Sequence, residues 1–216
     1  MPTHPEDDIQ TILSSVSDLE SRLSREHLGV FLRELVTWNP RLGLVSKRET
    51  PSVIVHLIRQ CIDMWDFVED HVERSLFAAP FRIVDVGSGG GFPGIIWKLL
   101  EPDLHLTLVE RKNRRAFFLG RVVEQLDMSD VDVITADVKE ITHQTSRLAP
   151  FHLAALLAVA PPAKLGNQIE ALLKTGGYLI SVRSSNEEIA ETVGSSLHLH
   201  QQTRKPDGTF LLYQKQ

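Results

Sequence analysis

Ten consecutive residues in the middle of the chain have types and spacing that suit ligand binding: residues 85–94 read DVGSGGGFPG. Glycines let the backbone turn tightly and approach a ligand closely, because no Cβ stands in the way. Gly89, Gly91 and Gly94 also satisfy the G-x-G-x-x-G fingerprint of dinucleotide-binding turns, a pattern that is weak by itself. The alternative is a plain turn between a strand and a helix, with Asp85 only capping the loop.

The acid that begins this segment distinguishes two classes of ligand. Asp85 would repel the pyrophosphate of a dinucleotide, whereas S-adenosylmethionine has no phosphate and carries an ammonium and a sulfonium that suit a carboxylate. The sequence therefore favours an S-adenosylmethionine-dependent methyltransferase over a nicotinamide dehydrogenase. The residues expected to form this part of the cofactor site are Asp85, Gly87, Gly89 and Gly91.

Two further acids follow the next predicted strands. Glu110 comes 25 residues after Asp85, and its carboxylate offers acceptors for both ribose hydroxyls of an adenosine. Its alternative role is a surface acid paired with Arg111 or Lys112, which would contribute little. Asp137 follows the third strand, where it either meets the adenine edge or caps a short helix, and the sequence leaves both open.

Basic residues cluster in two places. One cluster lies between two N-terminal helices and the other follows Glu110, and either could bind phosphates or form a solvated face. The first contains Arg41, Lys47 and Arg48, and the second contains Arg111, Lys112, Arg114 and Arg115. We predict no metal site, because His198 and His200 alternate on a strand without a third ligand nearby.

Helices are expected to precede the glycine-rich segment. Apolar residues recur at helical spacing between Ile9 and Val16. A second helix should begin after an N-cap at Ser24 and stop near residues 38–40, because proline disfavours helix in the residue before it. A third helix should run from Pro51 to about Val72.

Strands and helices are expected to alternate from Phe81 onward. We predict a helix ending near Leu100, an amphipathic helix from Asn113 to Leu126, and one that stops at Gly176-Gly177. The chain should end in a hairpin that turns at residues 206–208. The five predicted strands before that hairpin span residues 81–86, 104–110, 131–136, 151–160 (in part) and 178–182.

This alternation predicts an α/β fold, a doubly wound, Rossmann-like class I methyltransferase sheet whose helices cover both faces. Residues 1–75 should form a helical N-terminal segment, and residues 76–216 an S-adenosylmethionine-binding domain that ends in the antiparallel hairpin. Ligands of such sheets bind beyond the carboxyl ends of the strands, which is where the glycines and acids above would meet.

Composition narrows the class of protein further. The 216 residues are 42% hydrophobic, enough for a core, and the net charge of −5 excludes a protein that is basic throughout. The single cysteine, Cys61, favours a reducing compartment. Neither a secretory signal nor a run of about 20 apolar residues is present. We expect a cytoplasmic monomer with no membrane contact.

The glycine-rich segment resembles the first motif of the RsmG/GidB family, most specifically in residues 91–94, GFPG. The similarity continues through residues 106–110 and reaches other parts of the chain at 38–39, 56–57, 114–115, 118–119 and 158–161. It implies a bacterial methyltransferase that modifies guanine N7 of 16S ribosomal RNA, with ribosomal RNA or the small subunit as partner. It also implies cofactor contacts from Gly87, Phe92, Glu110, Val138 and Lys139.

The chain departs from the family pattern at positions expected around the acceptor. Residues 137–140 read DVKE where the family has Arg-Ala-Glu-Glu, and Leu157 stands where the family has an arginine. Residues 43–45 and 183–184 also differ. Acceptor contacts are predicted from Arg41, Lys47, Arg48 and Arg183, and no general base is predicted. Alternatives are another RNA, a small molecule or a protein as acceptor, or a non-catalytic relative that binds cofactor or RNA.

Overall fold

The computed structural model describes residues 5–46, 50–73, 76, 80–141, 150–158, 161–183, 189–206 and 208–216. The helices are α1 Pro5–Ser15, α2 Arg25–Leu42, α3 Thr50–His71, α4 Gly94–Leu100, α5 Asn113–Gln125, α6 Val138–Ile141 and α7 Pro162–Leu172, with a 3₁₀ turn at Ser17–Leu19. The strands are β1 Arg82–Val86, β2 His105–Val109, β3 Val131–Ile134, β4 Phe151–Leu156, β5 Leu173–Arg183, β6 Thr192–Val193, β7 Leu197–Lys205 and β8 Gly208–Lys215.

The strands form a single eight-stranded sheet in the order β3-β2-β1-β4-β5-β8-β7-β6. β1 pairs in parallel with both β2 and β4, so the chain leaves the centre of the sheet in opposite directions on either side of β1. β8 joins β5 antiparallel and continues the sheet into the hairpin with β7. The predicted doubly wound sheet with an antiparallel end is confirmed.

Two hydrophobic clusters cover the two faces of this sheet. The larger one joins α1–α5 to one face and includes residues from Ile9 on α1 to Leu212 on β8. The smaller one packs α6 and α7 against the other face, through residues such as Val138 and Ile169. The helices before β1 therefore share their core with the sheet, although the predicted boundary near residue 75 stays a prediction.

The second helix is longer than predicted. Ser24 accepts a hydrogen bond from the His27 N–H and caps its start, as expected. Pro40, however, lies inside the last turn, and the helix continues to Leu42 before Gly43 ends it at a φ of +59°. The end is set by glycine, since the Gly43 N–H reaches the Asn39 carbonyl in a left-handed cap, whereas Pro40 removes only the single helical hydrogen bond that its own N–H would make.

The prediction that Gly176-Gly177 ends a helix is wrong. Helix α7 stops at Leu172, and β5 begins immediately and includes both glycines. The pairing of β5 with β4 is irregular there, because Phe151 pairs with Leu173 while Leu153 pairs with Tyr178. Gly176 supplies the positive φ, +75°, that this bulge requires. Strand β6 was not predicted, whereas α6 is the short helix that the sequence left open after Asp137.

No described helix combines the length and apolar character needed to cross a membrane. Within the same described ranges, no three side chains of metal-binding type converge. His198 contacts the Thr192 hydroxyl, and His200 contacts the His71 carbonyl.

Candidate functional site

A cleft of about 460 Å³ opens at the carboxyl ends of β1, β2 and β3, on both sides of the point where the chain reverses direction across the sheet. This is the position at which doubly wound sheets bind ligands, and the volume suits a nucleoside-sized molecule. The cleft is lined by Val86, Gly87, Val109, Glu110, Arg111, Lys112, Arg115, Ala136, Asp137, Val138, Lys139, Ala158 and Leu165.

Glu110 is the best-fixed acid of the cleft. Its side chain is buried, and Oε2 accepts a hydrogen bond of 3.1 Å from the Gly89 N–H, while Oε1 accepts one of 2.8 Å from the Lys112 N–H. Each carboxylate oxygen retains a second lone pair, so two further donors from a ligand can be accepted. The structure brings Glu110 and Gly87 to the same cleft, in an arrangement that suits the two hydroxyls of a ribose.

Asp85 lies beneath the glycine loop and is not among the residues that line the cleft. It is 1% exposed, and its Oδ2 accepts a hydrogen bond of 3.1 Å from the Gly94 N–H at the start of α4. Its Oδ1 has no partner among the described residues. Burial raises the pKa of Asp85 to about 8, an effect that the Gly94 N–H opposes and the charge of Glu110 reinforces. Direct contact between Asp85 and a cofactor stays a prediction, and the structure shows the capping alternative.

Asp137 caps a short helix and also lines the cleft, while its contact with adenine stays a prediction. Its Oδ1 accepts a hydrogen bond of 3.0 Å from the Lys139 N–H, and its own N–H donates to Glu140, so it caps α6 with a reciprocal pair of bonds. The same residue lines the cleft together with Val138 and Lys139. The predicted turn after β3 therefore faces the cleft while it begins a helix.

The far side of the glycine loop packs against the N-terminal helices. Phe92 is buried in the larger core cluster, and its ring meets the ring of Phe31 on α2 edge-on at 5.5 Å. A Cβ on Gly91 would lie 3.3 Å from the Phe31 ring, and one on Gly90 would lie 3.2 Å from the Leu44 carbonyl. Gly91 and Phe92 were predicted to contact cofactor, but both lie on the side of the loop that supports it and neither lines the cleft.

Arg115 was not singled out as a site residue, yet it connects three parts of the site. Its guanidinium donates to the Gly43 carbonyl at 2.6 Å, which fastens α5 to the end of α2. It also lines the cleft and lies 3.8 Å from the position of a Cβ on Gly89. Only its membership of the basic cluster after Glu110 could have indicated it from the sequence.

A second feature that the sequence did not reveal is at the end of β4. Ala158 lines the cleft with a φ of +55°, a strained conformation that non-glycine residues rarely adopt and that tends to cluster at functional sites. Beside it, Leu157 is buried in the core, in place of the arginine of the resembled family. An apolar residue is compatible with that position because its surroundings are apolar.

Arg41 of the first basic cluster meets the second basic cluster in space. A groove of about 480 Å³ adjoins the cleft, and it brings Arg41 of α2 to the basic residues that precede and begin α5. It is lined by Arg41, Leu42, Arg111, Lys112, Asn113, Arg114 and Arg115. Lys47 and Arg48 lie outside the described residues. Arg183 ends β5 opposite Thr209 of β8 and lines neither the cleft nor the groove.

The chain is similar in sequence to known methyltransferases. The family model described as GidB, rRNA small subunit methyltransferase G, matches residues 24–207. A ribosomal RNA small subunit methyltransferase G of Roseiflexus castenholzii is 31% identical over 76% of this chain and 68% of its own length. One of Chloroflexus aggregans is 31% identical over 74% of this chain and 65% of its own length. The chain thus spans about two thirds of these curated relatives.

Solved structures share the fold. A putative O-methyltransferase from Klebsiella pneumoniae superposes with a TM-score of 0.60 at 17% identity, covering 87% of this chain and 90% of that one. At this identity the similarity concerns the fold alone.

Proposed function

Because the chain belongs to the GidB family of ribosomal RNA small subunit methyltransferase G, whose members are S-adenosylmethionine-dependent methyltransferases, we propose that it methylates guanine N7 of 16S ribosomal RNA. The observation that carries the cofactor site is Glu110, a buried carboxylate fixed by two backbone amides at the mouth of a nucleoside-sized cleft. The family match decides for S-adenosylmethionine over a dinucleotide. A role in the methylation of ribosomal RNA supports the expected cytoplasmic location.

Methyl transfer to guanine N7 requires the protein mainly to position the two reactants. S-adenosylmethionine supplies an electrophilic methyl group, and guanine N7 already has a free lone pair and no proton to remove. Glu110 accepts the ribose hydroxyls, and the turn at Asp137 and Val138 borders the adenine side of the cleft. Catalysis then consists mainly of holding the two reactants in line, which agrees with the absence of a predicted general base.

Isothermal calorimetry with S-adenosylmethionine tests the cofactor site. We expect wild-type protein to bind and Gly89→Val to lose binding, because Gly89 has a φ of +49° and its N–H orients Glu110. Gly120→Val is the matched control, since a Cβ at this position on α5 would meet nothing within 4 Å. Unchanged binding by Gly89→Val would contradict the assignment, and binding of NAD instead would point to the dinucleotide alternative.

The acceptor is tested with small ribosomal subunits that lack the modification. We expect labelled methyl groups to enter 16S ribosomal RNA, and borohydride–aniline treatment to cleave the product at the modified guanosine. Label in protein or small molecules, with none in RNA, would support the alternative acceptors. Tight cofactor binding without any transfer would support a non-catalytic relative.

A further inference from the structure

An exposed aromatic side chain lies next to the basic groove. Phe117 on α5 is 59% exposed, the one large hydrophobic side chain of that kind among the described residues. Its ring contacts that of Trp38 on α2 edge-on, with 5.9 Å between centroids. A single exposed apolar side chain is common on protein surfaces, so Phe117 is informative only through the ring and the charges beside it.

The tryptophan beneath Phe117 is held rigidly. The Trp38 indole N–H donates to Glu34 at 3.0 Å, and the guanidinium of Arg121 lies 6.0 Å from the centre of its ring. Arg121 and Glu34 form an ion pair of 3.1 Å, so the acid at this site is already neutralised. The Trp38 ring, against which Phe117 packs, is therefore fixed before any partner arrives, which lowers the entropy that binding would cost.

Cations flank the two rings on both helices. Arg114 precedes Phe117 by one helical turn on α5, and Arg41 follows Trp38 by one turn on α2, so each cation lies on the same side as its ring. Both arginines line the groove, along with Arg111, Lys112 and Arg115. None of the ion pairs between described residues uses these five cations, so their charge is available to a partner.

We propose that this face of α2 and α5, defined by Trp38, Arg41, Arg114 and Phe117, docks the single-stranded RNA that flanks the acceptor nucleotide. The arginines would contact phosphates, and an unstacked base would lie on the Phe117 ring, which is how sequence-tolerant RNA-binding proteins combine charge and stacking. A protein partner fits less well, because five clustered cations that form no ion pair among the described residues, on a chain of net charge −5, select a polyanion. The inference rests on the proposed function, since it assumes an RNA acceptor.

Fluorescence anisotropy with a labelled single-stranded RNA of about 12 nucleotides measures the docking step without methyl transfer. We expect Phe117→Ala and Phe117→Leu to weaken binding about 5- to 150-fold, and Phe117→Tyr to retain it, because only an aromatic ring stacks with a base. Arg41→Gln and Arg114→Gln should each lower the slope of log affinity against log salt by about 0.7. Arg204 is an exposed arginine on β7, so Arg204→Gln is the control for loss of charge alone. It should change neither the RNA affinity nor its dependence on salt.

Tryptophan fluorescence provides a readout at the site itself. Trp65 and Trp97 are buried, so acrylamide quenching reports mainly on Trp38. RNA should protect Trp38 from acrylamide in wild-type protein and in Phe117→Tyr, but not in Phe117→Ala. Unchanged RNA affinity in both Phe117→Ala and Phe117→Leu would overturn the proposal. It would also be overturned if sedimentation showed that these variants alter only the self-association of the protein and leave RNA binding unchanged.

The outcome is separable from that of the proposed function. If RNA binding depends on Phe117 but the protein transfers no methyl group, the docking face is supported and the proposed activity is contradicted. If Phe117→Ala and Arg114→Gln methylate small subunits at the full rate, the proposed activity is supported and the docking face is contradicted. Calorimetry with S-adenosylmethionine should give equal affinity in all of these variants, because neither residue lines the cleft.

Discussion

The carboxylates of Asp85 and Glu110, near the ends of β1 and β2, have different surroundings and therefore different roles. Glu110 has both oxygens fixed by backbone amides and still faces the cleft. Asp85 is sealed beneath the loop with one oxygen bonded to Gly94 and the other unpartnered. We infer that Glu110 recognises the ligand, while Asp85 acts on the loop and on the start of α4.

Asp85 should make stability depend on pH. The pKa of Asp85 is raised by burial from 3.8 to about 8, so between these values the unfolded chain releases a proton that the folded chain keeps. Stability should therefore fall as pH rises from about 4 to about 8, by on the order of a few kcal/mol, and level off above that.

The Asp85→Asn variant isolates this effect, since the amide keeps an acceptor for the Gly94 N–H and does not titrate. We expect the difference in melting temperature between variant and wild type to grow in favour of the variant as pH rises through this window. A difference that is constant from pH 4 to 9 would show that Asp85 is ionised in the folded protein.

At the scale of elements, α2 packs against the glycine loop on the side that faces away from the cleft. Phe31 is fully buried against Phe92 and close to Gly91, so the loop is held between α2 and the cleft. We expect Phe31→Ala to cost about 3–5 kcal/mol of stability and also to weaken S-adenosylmethionine binding by the folded protein, because the loop loses its support.

A matched variant separates support of the loop from general stability. Phe67 is buried in the same cluster but packs against Phe210, away from the loop. Phe67→Ala should destabilise the protein similarly and leave cofactor affinity in place, as measured by thermal melting and calorimetry. Equal loss of affinity in both variants would mean that the Phe31 effect is only loss of folded protein.

Sequence patterns predicted the elements better than the roles of their residues. Periodicity and glycine spacing located the sheet, the loop and Glu110, because these features are local. The burial of Phe92 and the position of Arg115 depend on contacts with α2, more than 70 residues away from Arg115. No local pattern carries that information, and the bulge at Gly176 likewise depends on the pairing of β5 with β4. The end of α2 was mispredicted for another reason, because Pro40 was given more weight than the local cap at Gly43.

At the scale of the whole molecule, the N-terminal helices and the sheet share one core. The larger cluster includes residues from every helix between α1 and α5 and from β1, β2, β4, β5 and β8. Trp97 on α4 donates its indole N–H to the Cys61 carbonyl on α3 at 2.8 Å, deep within that core. We therefore expect the helical segment and the sheet to unfold together, although residues 1–75 read as a separate segment in sequence.

The sulfhydryl of Cys61, fully buried in α3, makes this cooperativity directly measurable. It is the chain's single cysteine, and burial raises its pKa, so a disulfide reagent can react only when the interior opens. If opening also dismantles the cofactor site, S-adenosylmethionine at a hundred times its Kd should slow modification about 100-fold. Modification at the same rate with and without cofactor would mean that the N-terminal helices detach while the sheet stays folded.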